Sequence, residues 1–323
     1  MKKQFIGPMG QLIKRYLILK RSFGLSFKNA GYLLDGFDRY LAVYFPKIER
    51  ITREIVVGYL STTHHISSTT RQQYLTHIRQ FCRFLFQLNP KNYIPEKNLL
   101  PPERRKFRFH IYSVEELKNI LRLTRQLGPP QSLRPHTSTT IFSLLWVSGM
   151  RISEVLDLNL GDVDLETGVI HIRQTKFYKS RFIPLSLSST EALRRYRNKR
   201  ARYGHSCHAT APLFVNQRGK RCGSRGIQHV FCDIIEQLEI QSTQGRRPRI
   251  HDFRHSFATR WLNEFSKSGK DPTAYLPILA TYLGHTKIDY TQVYLHPSPE
   301  LLQTAGQQFN DHIHKLQTER NPI

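Results

Sequence analysis

The chain has 323 residues, enough for two ordinary domains or a single large one with a buried core. Its 49 Lys and Arg outnumber 24 Asp and Glu, for a formal net charge of +25. That excess calls for a polyanionic partner, because each cation set against a phosphate releases condensed counterions. No apolar run reaches membrane-spanning length, and no signal-peptide core precedes a small-residue cleavage site. The four cysteines (Cys82, Cys207, Cys222 and Cys232) form no C-x-x-C pair, and a chain this long needs no disulfide staples. A membrane protein and a secreted disulfide scaffold are thereby set aside. The expectation is a cytoplasmic, nucleoid-associated protein that binds nucleic acid.

Residues 1–110 hold 20 Lys/Arg against 6 Asp/Glu, and residues 111–323 hold 29 against 18, so the first third is the denser positive surface. Its pattern is helical. Phe37, Tyr40, Leu41, Tyr44 and Phe45 form an amphipathic run ending at Pro46. A second helix is predicted over 67–88, with N-cap oxygens at Ser67, Ser68 and Thr69 and apolar residues at Leu75, Ile78, Phe81, Cys82, Leu85 and Phe86. Arg71, Arg79 and Arg83 lie among its polar positions, as candidate phosphate contacts. Residues 92–109 carry Pro95, Pro101 and Pro102 with the basic cluster Arg104, Arg105 and Lys106, and read as a basic linker. The division is therefore 1–106 and 107–323, two basic bodies whose connection suggests a clamp on a duplex.

The second domain opens at Ser113–Glu116, a capping box ahead of Leu117, Ile120 and Leu121. Two β-rich runs, 168–173 and 181–185, flank a polar basic tip and read as a hairpin. Helices are predicted over 191–202, 226–238, 251–265, 273–283 and 300–316. The fold class is mainly α with a small antiparallel β-sheet, and no internal repeat is visible.

Phosphoryl transfer without a metal needs fixed cations for the non-bridging oxygens, a hydroxyl in line, and a proton donor for the leaving oxygen. Each part is present. Arg151 follows Gly149-Met150 at the break after an apolar helix, within Gly149-Met-Arg-Ile-Ser-Glu154. Lys176 sits near the hairpin tip, with Lys179 as its rival and Arg181 behind it; Lys179 and Arg181 are further candidate DNA contacts. His251 and Arg254 stand three apart, hence on one helix face. Tyr282-Leu-Gly-His285 follows, and Tyr294 comes nine residues after His285 in Thr291-Gln-Val-Tyr-Leu-His296.

This series resembles the tyrosine recombinase (phage integrase) family. The pieces G-x-R-x-S-E, hairpin lysine, H-x-x-R-H-S-F-A-T, L-G-H and T-x-x-Y-x-H run through 140–300 in the family's order. Each alone is weak, and five in sequence are a strong signal. The resemblance implies a helical N-terminal core-binding domain and a tyrosine-recombinase-type catalytic domain. It implies that Tyr294 attacks the scissile phosphate to give a 3′-phosphotyrosyl link and a 5′-hydroxyl. Arg151 and Arg254 would then hold the non-bridging oxygens, Lys176 protonate the leaving oxygen, His251 assist proton transfer at Tyr294, and His285 hydrogen-bond the phosphate. No cofactor or metal is implied. The implied partner is double-stranded DNA carrying recombination sites, met by a homotetramer on synapsed DNA, with accessory recombinases as a further option and residues 299–313 as a docking segment. Mobile-element integration and excision is the implied role, since no long arm-binding domain precedes the chain.

The interval from Arg254 to His285 is 31 residues, longer than the family's usual one, and 264–272 reads as an enlarged loop. His251-Asp-Phe-Arg-His255 is a near miss to the zinc motif H-E-x-x-H, but Asp replaces Glu and Arg254 would stand beside the metal. A DNA clamp without cleavage and a relaxing enzyme of the type IB topoisomerase kind remain as rivals.

Overall fold

A computed structural model describes residues 5–24, 27–101, 109–129, 131–173, 180–241, 247–285 and 287–295. The chain divides into two compact units, Met1–Lys106 and Phe107–Ile323.

The first unit is built from α1 (Gly10–Ser22), α2 (Lys28–Tyr44), α3 (Arg53–Thr62) and α4 (Ser68–Leu88). The Ser67 hydroxyl accepts the Thr70 amide and so starts α4, whose buried stripe is Leu75, Ile78, Phe81, Cys82 and Leu85. Leu34, Phe37 and Leu41 of α2 are fully buried against it. Tyr16 of α1 closes the core, its ring 5.6 Å from that of Phe81. Helices α1 and α3 carry short apolar stripes (Ile13, Tyr16 and Leu17; Ile55, Val56, Tyr59 and Leu60).

The expected linker starts later than its prolines suggest. Asn92 is buried and its side-chain oxygen accepts the Ile51 amide at 2.9 Å. Arg79 donates from Nε to the Pro95 carbonyl at 2.6 Å, and Gln72 donates to the Leu100 carbonyl at 3.1 Å. Proline forbids a regular ladder but leaves its carbonyl as an acceptor, so residues 92–101 lie along the first unit.

The second unit begins with α5 (Val114–Arg125), α6 (Arg134–Ser148) and α7 (Ile152–Asp157). Ser113 and Glu116 form the reciprocal capping box of α5. Helix α6 buries Thr137, Ser138, Ile141, Phe142, Leu144, Leu145, Trp146 and Ser148, which cover more than one face and make it the central core helix. Strands β1 (Val163–Asp164), β2 (Val169–Ile172) and β3 (Arg181–Pro184) form an antiparallel sheet in that order. Ile170 pairs with Ile183 and both face the core, whereas His171 and Phe182 stack on the outer face at 4.7 Å. Then come α8 (Leu187–Arg202), α9 (Ser224–Gln237), α10 (Asp252–Lys267), α11 (Leu276–Leu283) and α12 (Asp289–Gln292), with a final 3-10 turn at Val293–Leu295. The architecture is mostly helical with one small sheet. Among the described residues, no helix is long and apolar enough to cross a membrane.

The first four residues of the expected long loop over 264–272 are helical and the rest form a short connection. Helix α10 continues to Lys267, Gly269 takes φ +74, and Pro272 opens a 3-10 turn leading into α11. Phe265 remains within this packing, its ring stacked on Tyr275 at 4.0 Å. The added length thus extends one helix and starts the next without a free excursion.

Candidate active site

The site forms where two helices end. Gly149 follows α6 with φ +59, and a Cβ there would lie 2.5 Å from Phe257 Cδ1, so only glycine fits. Two residues later Arg151 sits at the N-cap of α7, and Glu154 is the third residue of that helix. The Glu154 carboxylate accepts the Arg151 backbone amide at 2.8 Å and Arg151 Nη1 at 2.7 Å. This explains the R-x-x-E spacing: one helical turn returns the carboxylate to both groups.

Glu154 also receives Arg181, from Nη1 at 3.0 Å and Nη2 at 2.7 Å. Burial alone would raise this carboxyl. Hydrogen bonds from Arg181 and the charges of Arg181 and Arg151 instead bring it down to about 2. Arg181, expected among the DNA contacts, is occupied here with a side chain only 11% exposed. Its place in β3 directs the fork inward onto Glu154, so it braces the site from behind.

Arg254, in α10, is 2% exposed and bridges both helix ends: Nη1 donates to the Gly149 carbonyl at 2.9 Å and Nη2 to the Leu283 carbonyl at 2.5 Å. Terminal carbonyls at helix C-ends are natural partners for a cation. Arg151 Nη2 approaches the next carbonyl, Gly284, at 3.4 Å. Burial first, and then Arg151, lower the Arg254 pKa to about 10. Two guanidiniums, Arg151 and Arg181, thus share the carboxylate of Glu154, while the third, Arg254, is held by carbonyls alone. The local field favours an anion.

His285 follows the left-handed Gly284 that ends α11, and its Nδ1 lies 2.8 Å from the buried Thr291 hydroxyl. That contact fixes the ring and leaves Nε2 as the nitrogen to meet a ligand. Tyr294, in the final 3-10 turn, is 3% exposed and packs with Phe257, Leu262, Leu279 and Leu283. Burial raises its hydroxyl pKa, against the opposing pull of the Arg254 and Arg151 charges.

The structure places Arg151, His251, Arg254, His285 and Tyr294 in the second unit. The imidazole on the Tyr294 hydroxyl is that of His255, Nδ1 at 3.1 Å. His251 precedes α10 at its N-cap, exposed on the rim, its ring edge-on to His255 at 4.9 Å. The two histidines lie four residues apart on one face, His251 at the exposed start of the helix and His255 one turn further into the site. Burial of the ring comes first at each, including His251, whose ring is crowded although the residue as a whole is exposed; with the site's other imidazoles and arginines it lowers His251 and His285 to about 4 and His255 to about 3. All three are neutral imidazoles near pH 7.

Phe109 was not singled out by its sequence. Its ring stacks on His255 at 4.4 Å with 12° between planes and meets Tyr294 edge-on at 5.8 Å. Lys176 and Lys179, together with Arg104, Arg105, Lys106 and residues 299–313, lie outside the described residues. In the first unit, Arg83 is exposed, whereas Arg71 donates to the Leu60 carbonyl at 3.2 Å and Arg79 to Pro95. Arg71 and Arg79 are thus held within their own unit, which the helix's polar spacing alone does not reveal.

Residues 113–300 match the profile of the phage integrase family. A putative integrase/recombinase of Sinorhizobium fredii, y4rB, is 32% identical over 299 residues, covering 91% of this chain and 95% of that protein. The tyrosine recombinase XerC of Bacillus subtilis is 31% identical over 253 residues, 74% of each chain. Among solved structures, the Tn1549 transposon integrase in complex with transposon right end DNA shares the fold at a TM-score of 0.65 and 16% identity, covering 93% of this chain and 98% of that one. The chain belongs to the phage integrase family and is a tyrosine site-specific recombinase.

Proposed function

We propose that this recombinase cuts and rejoins double-stranded DNA through Tyr294, and that its setting is the integration and excision of a mobile element. The observation that carries the reading is the convergence of Tyr294 on the anion-seeking pair Arg151 and Arg254, with His285 beside them.

In the cleavage step the Tyr294 oxygen bonds to the scissile phosphorus as the bond to the 5′-oxygen breaks. The tyrosine proton leaves to a base, and the 5′-oxygen takes a proton from an acid. Arg151 and Arg254 hold the non-bridging oxygens, and their bracing by Glu154 and by helix-end carbonyls keeps the forks aimed before DNA arrives. His285 Nε2 donates to the same phosphate, and His251 completes the exposed rim of the site. Lys176 is the proposed acid for the leaving oxygen, with Lys179 as the alternative on the same hairpin. Because the phosphotyrosyl bond retains the energy of the bond broken, the 5′-hydroxyl can attack it and reverse the step without ATP. Nothing in this step calls for a metal or cofactor.

Strand exchange between two duplexes needs paired cuts, so the proposed assembly is four protomers on two synapsed sites, with residues 299–313 as the candidate docking segment. The mobile-element setting is supported by the integrase names of the relatives and by the transposon integrase among the structural neighbours.

The test is to incubate the protein with genomic DNA flanking its own gene and map covalent cut sites and products. Recombinant joints and Holliday junctions at a defined sequence support the proposal. Relaxed circles without recombinants would replace it with a relaxing enzyme, and tight binding without any covalent product with a binding module.

A further inference from the structure

Resting on Tyr294 as nucleophile, we infer that His255 is a further catalytic residue, the base that takes the Tyr294 proton, and that Phe109 is the positioning residue that aims it. Two contacts carry this. The His255 Nδ1 lies 3.1 Å from the Tyr294 hydroxyl. Phe109 lies flat on the imidazole at 4.4 Å, which holds the ring plane so that Nδ1 faces the hydroxyl.

His251 is less well placed for this task. It sits on the exposed rim, with its ring edge-on to His255 rather than on the tyrosine. A base for a buried hydroxyl must be within hydrogen-bond reach of the proton it removes. His255 meets that condition in the protein without DNA.

The proton balance follows. As the Tyr294 oxygen bonds to phosphorus, its proton passes to His255 Nδ1, and the 5′-oxygen leaves with a proton from the separate acid on the other side of the phosphate. In rejoining, the 5′-hydroxyl gives up its proton to that group while imidazolium His255 returns its own to the departing tyrosine oxygen. At rest burial, and after it His251, Arg249 and Arg254, keep His255 neutral, so one of its ring nitrogens can take up a proton. The arriving phosphodiester brings negative charge beside it and favours the imidazolium.

The experiment uses the full chain in single-turnover cleavage of nicked duplexes carrying the mapped site. One set has the natural bridging oxygen; the other has a bridging 5′-sulfur, whose departure needs no proton donor. His255→Gln is expected to bind the duplex as the parent does and to form covalent adduct about 10²-fold more slowly, a typical general-base effect. The loss persists with the sulfur substrate, because the defect lies at the nucleophile. Phe109→Leu slows the same step with both substrates, and Phe109→Tyr, which keeps the stack, restores it. Tyr294→Phe serves as the control. If it forms no adduct while His255→Gln cleaves at nearly the parent rate, this inference fails and the nucleophile stands. If sulfur rescues His255→Gln, His255 serves the leaving group and the inference fails. Adduct formation by Tyr294→Phe would overturn the nucleophile assignment and this inference with it.

Discussion

Arg181 and Glu154, 27 residues apart in sequence, meet in a two-pronged ion pair at 3.0 and 2.7 Å with both side chains nearly buried. The same carboxylate holds Arg151 from the other side, so one acid aligns two cations. Replacing Glu154 with Gln strands the buried Arg181 charge, and the expected loss of stability is about 3–5 kcal/mol. The loss should shrink in acid. The folded-state pKa of Glu154, about 2, lies below its ordinary value of 4.5. Its contribution is therefore complete above 4.5 and disappears as pH falls from there toward 2. Urea unfolding of the parent and Glu154→Gln at several pH values checks this; a difference that stays constant across the window contradicts it.

Gly149 joins fold to chemistry, because its carbonyl is a ligand of Arg254 and its φ is +59. Gly149→Ala forces a methyl group to within 2.5 Å of the Phe257 ring. The predicted cost is about 1–3 kcal/mol of backbone strain, with slower covalent adduct formation as Arg254 shifts. Thermal unfolding and cleavage rate should move together.

The three site histidines predict an acid-side loss of stability. Each has a folded pKa below the ordinary 6.5: about 4 for His251 and His285, and about 3 for His255. The unfolded chain therefore takes up protons first, and stability declines as pH falls from 6.5 toward 4. His255→Gln should flatten part of that decline, as seen by chemical denaturation across this range. Equal slopes in the two proteins would mean that His255 is not held neutral by the fold.

On the first unit, Arg83 is exposed, whereas Arg71 and Arg79 are spent on carbonyls of their own unit. If Arg83 meets a phosphate, Arg83→Ala lowers the salt slope of DNA binding by about one. Arg71→Ala acts mainly on stability, since it leaves the Leu60 carbonyl without its donor. Binding titrations at several salt concentrations, paired with melting curves, separate the two effects.

Much of this site is local in sequence. The αL glycine, the N-cap Arg151 and the carboxylate of Glu154 fall within six residues, and their spacing is that of one helical turn. Periodicity likewise finds α4, and the capping box finds α5, because a single apolar stripe or cap pair suffices. What escapes is contact at a distance. His255 stands in plain view beside Arg254, yet its partner Tyr294 is 39 residues downstream and Phe109 lies far upstream. Arg181 reads as a surface cation because nothing near it signals Glu154. Helix α1 escapes because cations interrupt its apolar stripe, and α3 because it is short and its Ile55-Val56-Val57 run and Gly58 are poor helix formers.

Everything in the proposed reaction turns on Tyr294 carrying the covalent step. A nicked duplex bearing the mapped site traps the adduct, since the short 5′ fragment diffuses away and rejoining is prevented. The expected result is a denaturation-resistant protein–DNA band with the parent chain, mass mapping of the linkage to Tyr294, and no band with Tyr294→Phe despite unchanged DNA binding. A band that persists in Tyr294→Phe, or a linkage on another residue, would contradict it.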